Sequence, residues 1–230
     1  SREAGQFKTS YTTDQQIFPI RQDRFVIVAL LVVAFGVVPL IANQYWLSAI
    51  LVPFLIFSLA AIGLNLLTGY AGQHRLGTAV DLAGGAIAAY NFLLRVPGMP
   101  VLVAFALAGL CAAAVGIVFG LPSLRIKGFY LAVATLAAQF FIVWALTKFG
   151  WFSNYSSSGV INAQKVEILG YTFDTPLSKY LLTLSIVALL ALAAKNMVRS
   201  SVGRSWMAVR DMDVAAAVIG FPILRTKLTA

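Results

Sequence analysis

Few side chains in this chain could do chemistry, and most of them sit beside glycines or inside apolar runs. The densest group is residues 63–73 (GLNLLTGYAGQ), where Gly69, Tyr70, Gly72 and Gln73 bring backbone freedom and polar groups to the end of an apolar run. Backbone amides left exposed in hydrocarbon are costly, so irregular backbone at membrane depth survives only inside protein or along a wet cavity. Broken helices of this kind hold substrates in many transporters; an interfacial loop with glycine turns can carry the same letters. Asp81 lies in the next apolar segment, with Arg75 and His74 as candidate partners. A carboxylate inside an apolar segment either serves an ion or substrate path or marks a shallow, re-entrant segment that sees water. His74 has no second His, Cys or carboxylate at ligand spacing, so no metal site is expected. Cys111 is the lone cysteine, within an apolar run, and reads as a small buried or lipid-facing residue. No Ser/His/Asp triad, no acid–base carboxylate pair and no GxxxxGK[ST] loop is present. The chain is therefore not expected to be an enzyme or to hydrolyse ATP itself.

Two more stretches are polar enough to meet a partner. Residues 204–219 read as one short amphipathic helix, with Arg204 and Asp211 on one side and Met207, Val214 and Val218 on another. Three alanines favour helix, and Gly220 with Pro222 stops it. A helix lying across a membrane surface and tied to spans at both ends can pass force from a soluble partner. It can also rest on lipid, for which its small side chains are poorly suited. Residues 151–159 (WFSNYSSSG) form a polar, aromatic loop, fit to receive a partner or a polar ligand, or simply to be solvated.

These residues must be positioned by membrane-crossing helices. The chain has 230 residues, 60% of them hydrophobic and 11% charged, with mean hydropathy +0.87. A soluble domain is about 45–50% apolar and about 25% charged. That excess excludes a disordered chain, a coiled coil and most soluble enzymes, and it predicts an all-α polytopic membrane protein. At roughly 20 residues per crossing, about six to seven crossings fit. Uncharged spans are expected over 25–42, 46–68, 99–121 and 128–147, with further segments over 76–94, which carries Asp81, and 180–194.

The net charge of +9 is spread through the gaps between apolar runs, with no basic block or stripe, so nucleic acid is not an expected partner and the lipid bilayer is. With the N-terminus inside, thirteen of the 17 basic residues fall in inner segments, leaving Arg95, Lys148, Lys165 and Lys179 outside. The positive-inside tendency selects that orientation, and it requires 76–94 to cross fully. Residues 1–24 are then a cytoplasmic tail unlike a secretory signal, 148–178 an external loop and 195–224 a cytoplasmic loop. Gly109, Ala112, Ala113 and Gly116 supply the small residues that close helix packing in lipid needs. The start without Met and the stop just after Arg225 and Lys227 suggest a fragment lacking later spans.

Taken together the motifs resemble the permease subunit of branched-chain amino acid ABC transporters, the LivM-like family, whose close relatives handle urea and short amides. The match rests on residues 63–73 followed by Leu76 and Gly77, on residues 120–135 (GLPSLRIKGFYLAVAT), and on residues 203–220, where Val214, Ala215, Ala216 and Gly220 fit the family's coupling element. The chain departs from the pattern at Arg75 and Asp81, in Gly85-Ala86-Ile87 where Gly-Ala-Tyr is usual, and at Val214 in place of a glutamate that Asp211 and Asp213 partly replace. Residues 25–230 would then be the permease domain of an importer in the bacterial cytoplasmic (inner) membrane.

The resemblance implies two ABC ATPase subunits, a homologous second permease and a periplasmic substrate-binding protein as partners. ATP and Mg would be bound by the ATPases, with no cofactor in this chain. Coupling to the ATPase falls to Arg204, Arg210, Asp211 and Asp213 by polar contact and to Ala215, Ala216 and Gly220 by close approach. The translocation path falls to Gly69, Tyr70, Gly72, Gln73 and Asp81, and docking of the binding protein to Tyr155, Ser156, Ser157, Ser158 and Gly159. Two other classes compete. A seven-crossing photoreceptor needs a lysine deep in a helix, but Lys148 and Lys179 fall at span edges. An ion-coupled secondary transporter or channel would work through Asp81.

Overall fold

The computed structural model describes residues 21–72, 78–96, 98–123, 129–152, 154–155, 167–168, 171–218, 220 and 222–229. The tail 1–20, Gln73, Ser156, Ser157, Ser158 and Gly159 lie outside these residues, as do the side chains of Asp81, Asp213 and Val214. The described chain is helical apart from a two-residue antiparallel ribbon, β1 (Glu167–Ile168) with β2 (Tyr171–Thr172), in which Glu167 faces Thr172 and Ile168 faces Tyr171. The helices in chain order are α1 (Gln22–Ile41), α2 (Trp46–Tyr70), α3 (Thr78–Arg95), α4 (Val101–Ser123), α5 (Phe129–Lys148), α6 (Pro176–Arg199), α7 (Ser201–Asp211), α8 (Asp213–Val218) and α9 (Ile223–Leu228).

Among the described residues, four helices are long and apolar enough to cross a membrane: α1, α2, Val101–Val118 of α4, and α6. Polar Asp81, Asn91 and Arg95 lower the hydropathy of α3, and α5 offers the shorter apolar stretch Leu136–Lys148. Their helical character is as expected from sequence, and length and apolarity by themselves single out four of the six segments expected to span. The protein is a multi-pass, all-α membrane protein. Its outward-facing residues include Phe25, Leu40, Phe54, Phe57, Phe140 and Leu189, as a bilayer solvent requires.

The chain divides into two compact units, the first comprising residues 1–59 and 176–204, the second residues 60–175 and 205–230. In the first unit, two prolines remake the spans. Pro39 has no N–H to offer the preceding turn, and the helix widens into a π segment, Val33–Val37, where the Val38 N–H bonds the Val33 carbonyl. The Ala34 carbonyl then has no backbone donor, because four residues on is Val38, already committed, and five on is Pro39. The Tyr180 hydroxyl, from α6, donates to that carbonyl at 3.0 Å. Pro53 repeats the pattern: a π segment, Trp46–Leu51, precedes it, and the Val52 N–H bonds the Leu47 carbonyl. Leu47, Tyr180 and Leu184 form the buried centre, flanked by Ala34, Val38, Leu51 and Leu55.

α6 begins at Pro176, where a missing N–H costs nothing at the first helical turn. It ends in a tight corner into α7. The Ser200 hydroxyl donates to the Met197 carbonyl at 2.6 Å, and Arg204 Nη1 to the Arg199 carbonyl at 3.1 Å. A methyl group on buried Gly203 would meet the Val198 carbonyl oxygen and, at 2.6 Å, its Cα. Only glycine fits that corner.

In the second unit, α3 packs along α4. The contact uses Gly85 and Ala89 of α3 and Val101, Ala104 and Ala108 of α4, with a methyl on Gly85 coming 3.8 Å from Ala112 Cβ. Of the small residues expected to pack, Ala112 and Gly116 continue the register of Ala104 and Ala108, and Gly109 and Ala113 do not. Ala104, Ala108 and Ala112 form the packed stripe, whereas Gly109 and Ala113 are exposed. Cys111 is exposed as well.

Candidate functional site

The surface segment expected as one helix over 204–219 is two. α7 runs from Ser201 to Asp211, Met212 is left out of both, and α8 restarts at Asp213, an acidic residue suited to a helix start. Backbone bonds flank the break, from Met212 N–H to the Ala208 carbonyl and from Ala216 N–H to the Met212 carbonyl. The buried side of this segment is Trp206, Val209 and Ala216; Met207 is half-buried and Val218 is 84% exposed. Trp206, 1% exposed, carries the anchoring. Its Nε1 donates to Thr229 Oγ1 at 3.2 Å, which donates to the Thr226 carbonyl at 2.9 Å. So α7 is pinned to the end of α9, and α9 packs on α4. A tryptophan N–H needs such a partner once buried.

Arg204, Asp211, Ala215 and Gly220 are exposed, Ala216 is buried, and Gly220 takes φ +95° after α8. Met212, 70% exposed, stands at the break. Arg210 is exposed too, and its guanidinium reaches back to the end of a span. Its Nε and Nη2 both lie 2.8 Å from Asp211 Oδ1, and its Nη1 donates to the Gly69 carbonyl at 2.6 Å.

That carbonyl belongs to a helix end. α2 finishes in a π segment, Leu66–Tyr70, with the Ala71 N–H bonding the Leu66 carbonyl at 3.1 Å. Thr68 Oγ1 donates back to Leu64 at 2.8 Å. Gly72 then turns left-handed at φ +66° and ends the helix. The last carbonyls of a helix lack internal donors and carry partial negative charge, which a guanidinium satisfies. The structure thus brings together Arg210 and Asp211 from the surface helix with Gly69 and Gly72. Tyr70 is half-buried beside them in sequence, and Ala71 is buried.

A second cluster escaped the sequence reading. Asn91, 6% exposed on α3, donates Nδ2 to the carbonyls of Ile87 (2.9 Å) and Phe152 (3.0 Å), while its Oδ1 accepts Arg95 Nε at 3.0 Å. Arg95 Nη2 donates to the Trp151 carbonyl at 2.6 Å, and its guanidinium carbon sits 3.8 Å from the Trp151 ring centroid. This clasp holds the turn after α5, where Asn154 and Tyr155 take positive φ (52° and 57°) and Tyr155 is 80% exposed. The sequence signal was the Asn91–Arg95 spacing of one helical turn, which places both side chains on one face.

A polytopic helical protein with a surface helix pair locked onto the broken end of a span belongs, as a class, with membrane transport permeases. The chain matches, over residues 46–230, the family described as "Branched-chain amino acid transport system / permease component", and it is a member of that family. Its relatives include the high-affinity branched-chain amino acid transport system permease protein LivM of Escherichia coli (strain K12) and that of Salmonella typhimurium. Each is 30% identical over 203 aligned residues that cover 76% of this chain and 46% of the relative. The chain thus spans just under half the length of these relatives. No solved structure matches it significantly.

Proposed function

We propose that the chain is the membrane-embedded permease subunit of an ATP-binding-cassette importer of the bacterial inner membrane, forming the path for branched-chain, hydrophobic amino acids. Two ATPase subunits drive it from inside, a second permease completes the path, and a periplasmic binding protein delivers substrate outside. The observation that carries this reading is the surface pair α7–α8. It is anchored on one side by Trp206 and leaves Asp211, Met212 and Ala215 on the other, with an arginine run into the end of a span. A partner pressing on such a pair moves the membrane part, because Trp206 is packed and closely packed parts shift as units.

The contacts at the two ends of α3 support the orientation. Gly69 and Gly72, before α3, meet Arg210 of the loop assigned to the cytoplasm; Arg95, at its far end, meets Trp151 of the loop assigned to the outside. Eighteen helical residues cover about 27 Å, close to the hydrocarbon thickness. In this reading residues 1–24 and 195–224 lie in the cytoplasm and 148–178 outside. Arg204, Asp211, Asp213, Ala215 and Gly220 face the ATPase, and Tyr155 belongs to the docking loop.

The test is leucine uptake by proteoliposomes holding the complete complex. Uptake that requires internal ATP supports the proposal. Uptake by this chain without the ATPases, driven by an ion gradient and lost in Asp81→Asn, would replace it with the ion-coupled reading.

A further inference from the structure

Gly69 and Gly72 were read from sequence as parts of a substrate path. The geometry points to another use: we propose that they form a seat for Arg210, and that this arginine is the positioning residue through which movement of the surface helix reaches the end of the second span. This inference rests on the importer reading above.

Three observations carry it. First, the Gly69 carbonyl lies in the last turn of α2, where carbonyls run out of partners within the helix, and Arg210 Nη1 is 2.6 Å from it. Second, Gly72 is needed for the approach. A methyl on Gly72 would stand 2.6 Å from Arg210 Cγ and 3.3 Å from its Cβ, and Gly72 also holds φ +66°, which a side chain rarely adopts. Gly69 contributes its carbonyl; a methyl there would meet the movable end of the Asn65 side chain rather than Arg210. Third, the guanidinium is oriented before it reaches the carbonyl. Asp211 Oδ1 takes Nε and Nη2 at 2.8 Å each, which leaves Nη1 for Gly69. The fork is planar, so fixing one edge aims the other. A lysine has a single point of attachment and cannot hold both partners in this way.

Arg210 is two residues from the break at Met212 and one turn from the Trp206 anchor. Displacing α7 therefore pulls on the Gly69 carbonyl through a charge-assisted bond and two packed methylenes. An arginine that served only as an ATPase contact would have no need of the Gly69 carbonyl and of Gly72, 141 and 138 residues earlier in the chain.

The experiment uses the full complex in proteoliposomes, with radiolabelled leucine as the probe and unmodified complex as reference. ATP-dependent uptake by the reference establishes the importer reading independently of Arg210. In Arg210→Ala and Arg210→Lys, leucine moved per ATP hydrolysed should fall about tenfold or more, the factor that a lost hydrogen bond to a charged group carries. The ATPase subunits should still co-purify in full. Gly72→Ala should give the same loss, and the double variant Gly72→Ala/Arg210→Ala should be no worse than either alone. Unchanged stoichiometry in Arg210→Ala would overturn the proposal. So would loss of the ATPase subunits, which makes Arg210 a partner contact, and so would additive losses in the double variant, which separate the glycine from the arginine. If the reference takes up no leucine with ATP, the importer reading fails instead. The seat is then judged by the same double-variant cycle on thermal unfolding of the purified chain, where additivity again overturns it.

Discussion

At the scale of single residues, the polar groups in this protein earn their places by closing gaps in the backbone. Tyr180 satisfies a carbonyl that a proline orphaned, Arg210 satisfies one at a helix end, and Asn91 with Arg95 satisfies two in a turn. In a bilayer such carbonyls have no water to fall back on. Tyr180→Phe should therefore lower stability by about 1–2 kcal/mol, measured by unfolding of the chain in mixed micelles with a denaturing detergent. Arg95→Ala should cost about 2 kcal/mol, from a charged hydrogen bond and the stacking on Trp151. Arg95→Lys should restore only a small part of it, because a lysine cannot stack and bond Asn91 and Trp151 at once. Equal stability of the arginine and lysine forms in the same titration would show that charge alone matters there. The sequence made Asp81 and His74 conspicuous because they are rare in apolar surroundings. It left Asn91 and Arg95 unremarked because their partners lie 61 and 56 residues away, a distance that no local pattern encodes.

At the scale of elements, the spans and the surface segment were legible in hydropathy and charge, but their irregularities were not. Nothing in the letters 33–37 says π-helix until Pro39 is followed to its consequences. The break at Met212 was invisible because three alanines and a steady periodicity favour an unbroken helix there. The α4 stripe was only half legible, because alanines and glycines alternate at several four-residue spacings, and only the partner helix selects Ala112 over Gly109 and Ala113. Pro39→Ala tests the proline argument directly. By supplying an N–H it should let the α-helical ladder re-form and give Ala34 a backbone donor, so that Tyr180→Phe costs markedly less in that background than in the native one. An undiminished cost would mean that the hydroxyl serves something other than the orphaned carbonyl. Gly203→Ala should open the corner between α6 and α7, since its methyl meets the Val198 backbone rather than a movable side chain. The expected result is a loss of about 1–3 kcal/mol together with reduced transport per ATP, while membrane insertion, followed by extraction resistance, is unchanged.

At the scale of the whole molecule, composition settled the solvent and the charge distribution proposed the orientation. Family membership over residues 46–230 was legible in three short motifs. What sequence could not give is which surface a partner uses, because exposure depends on how each helix is rotated: Ala215 is exposed where its neighbour Ala216 is buried. The proposed importer stands on the claim that the break between α7 and α8 faces the cytoplasm and is gripped by an ATPase. Met212, 70% exposed at that break, reports on both parts of the claim. In a Cys111→Ser background, Met212→Cys should resist a membrane-impermeant thiol reagent applied from outside, react when the inner face is opened, and crosslink to the ATPase subunit in the assembled complex. Labelling from outside, or no crosslink in a complex that transports leucine normally, would contradict the account.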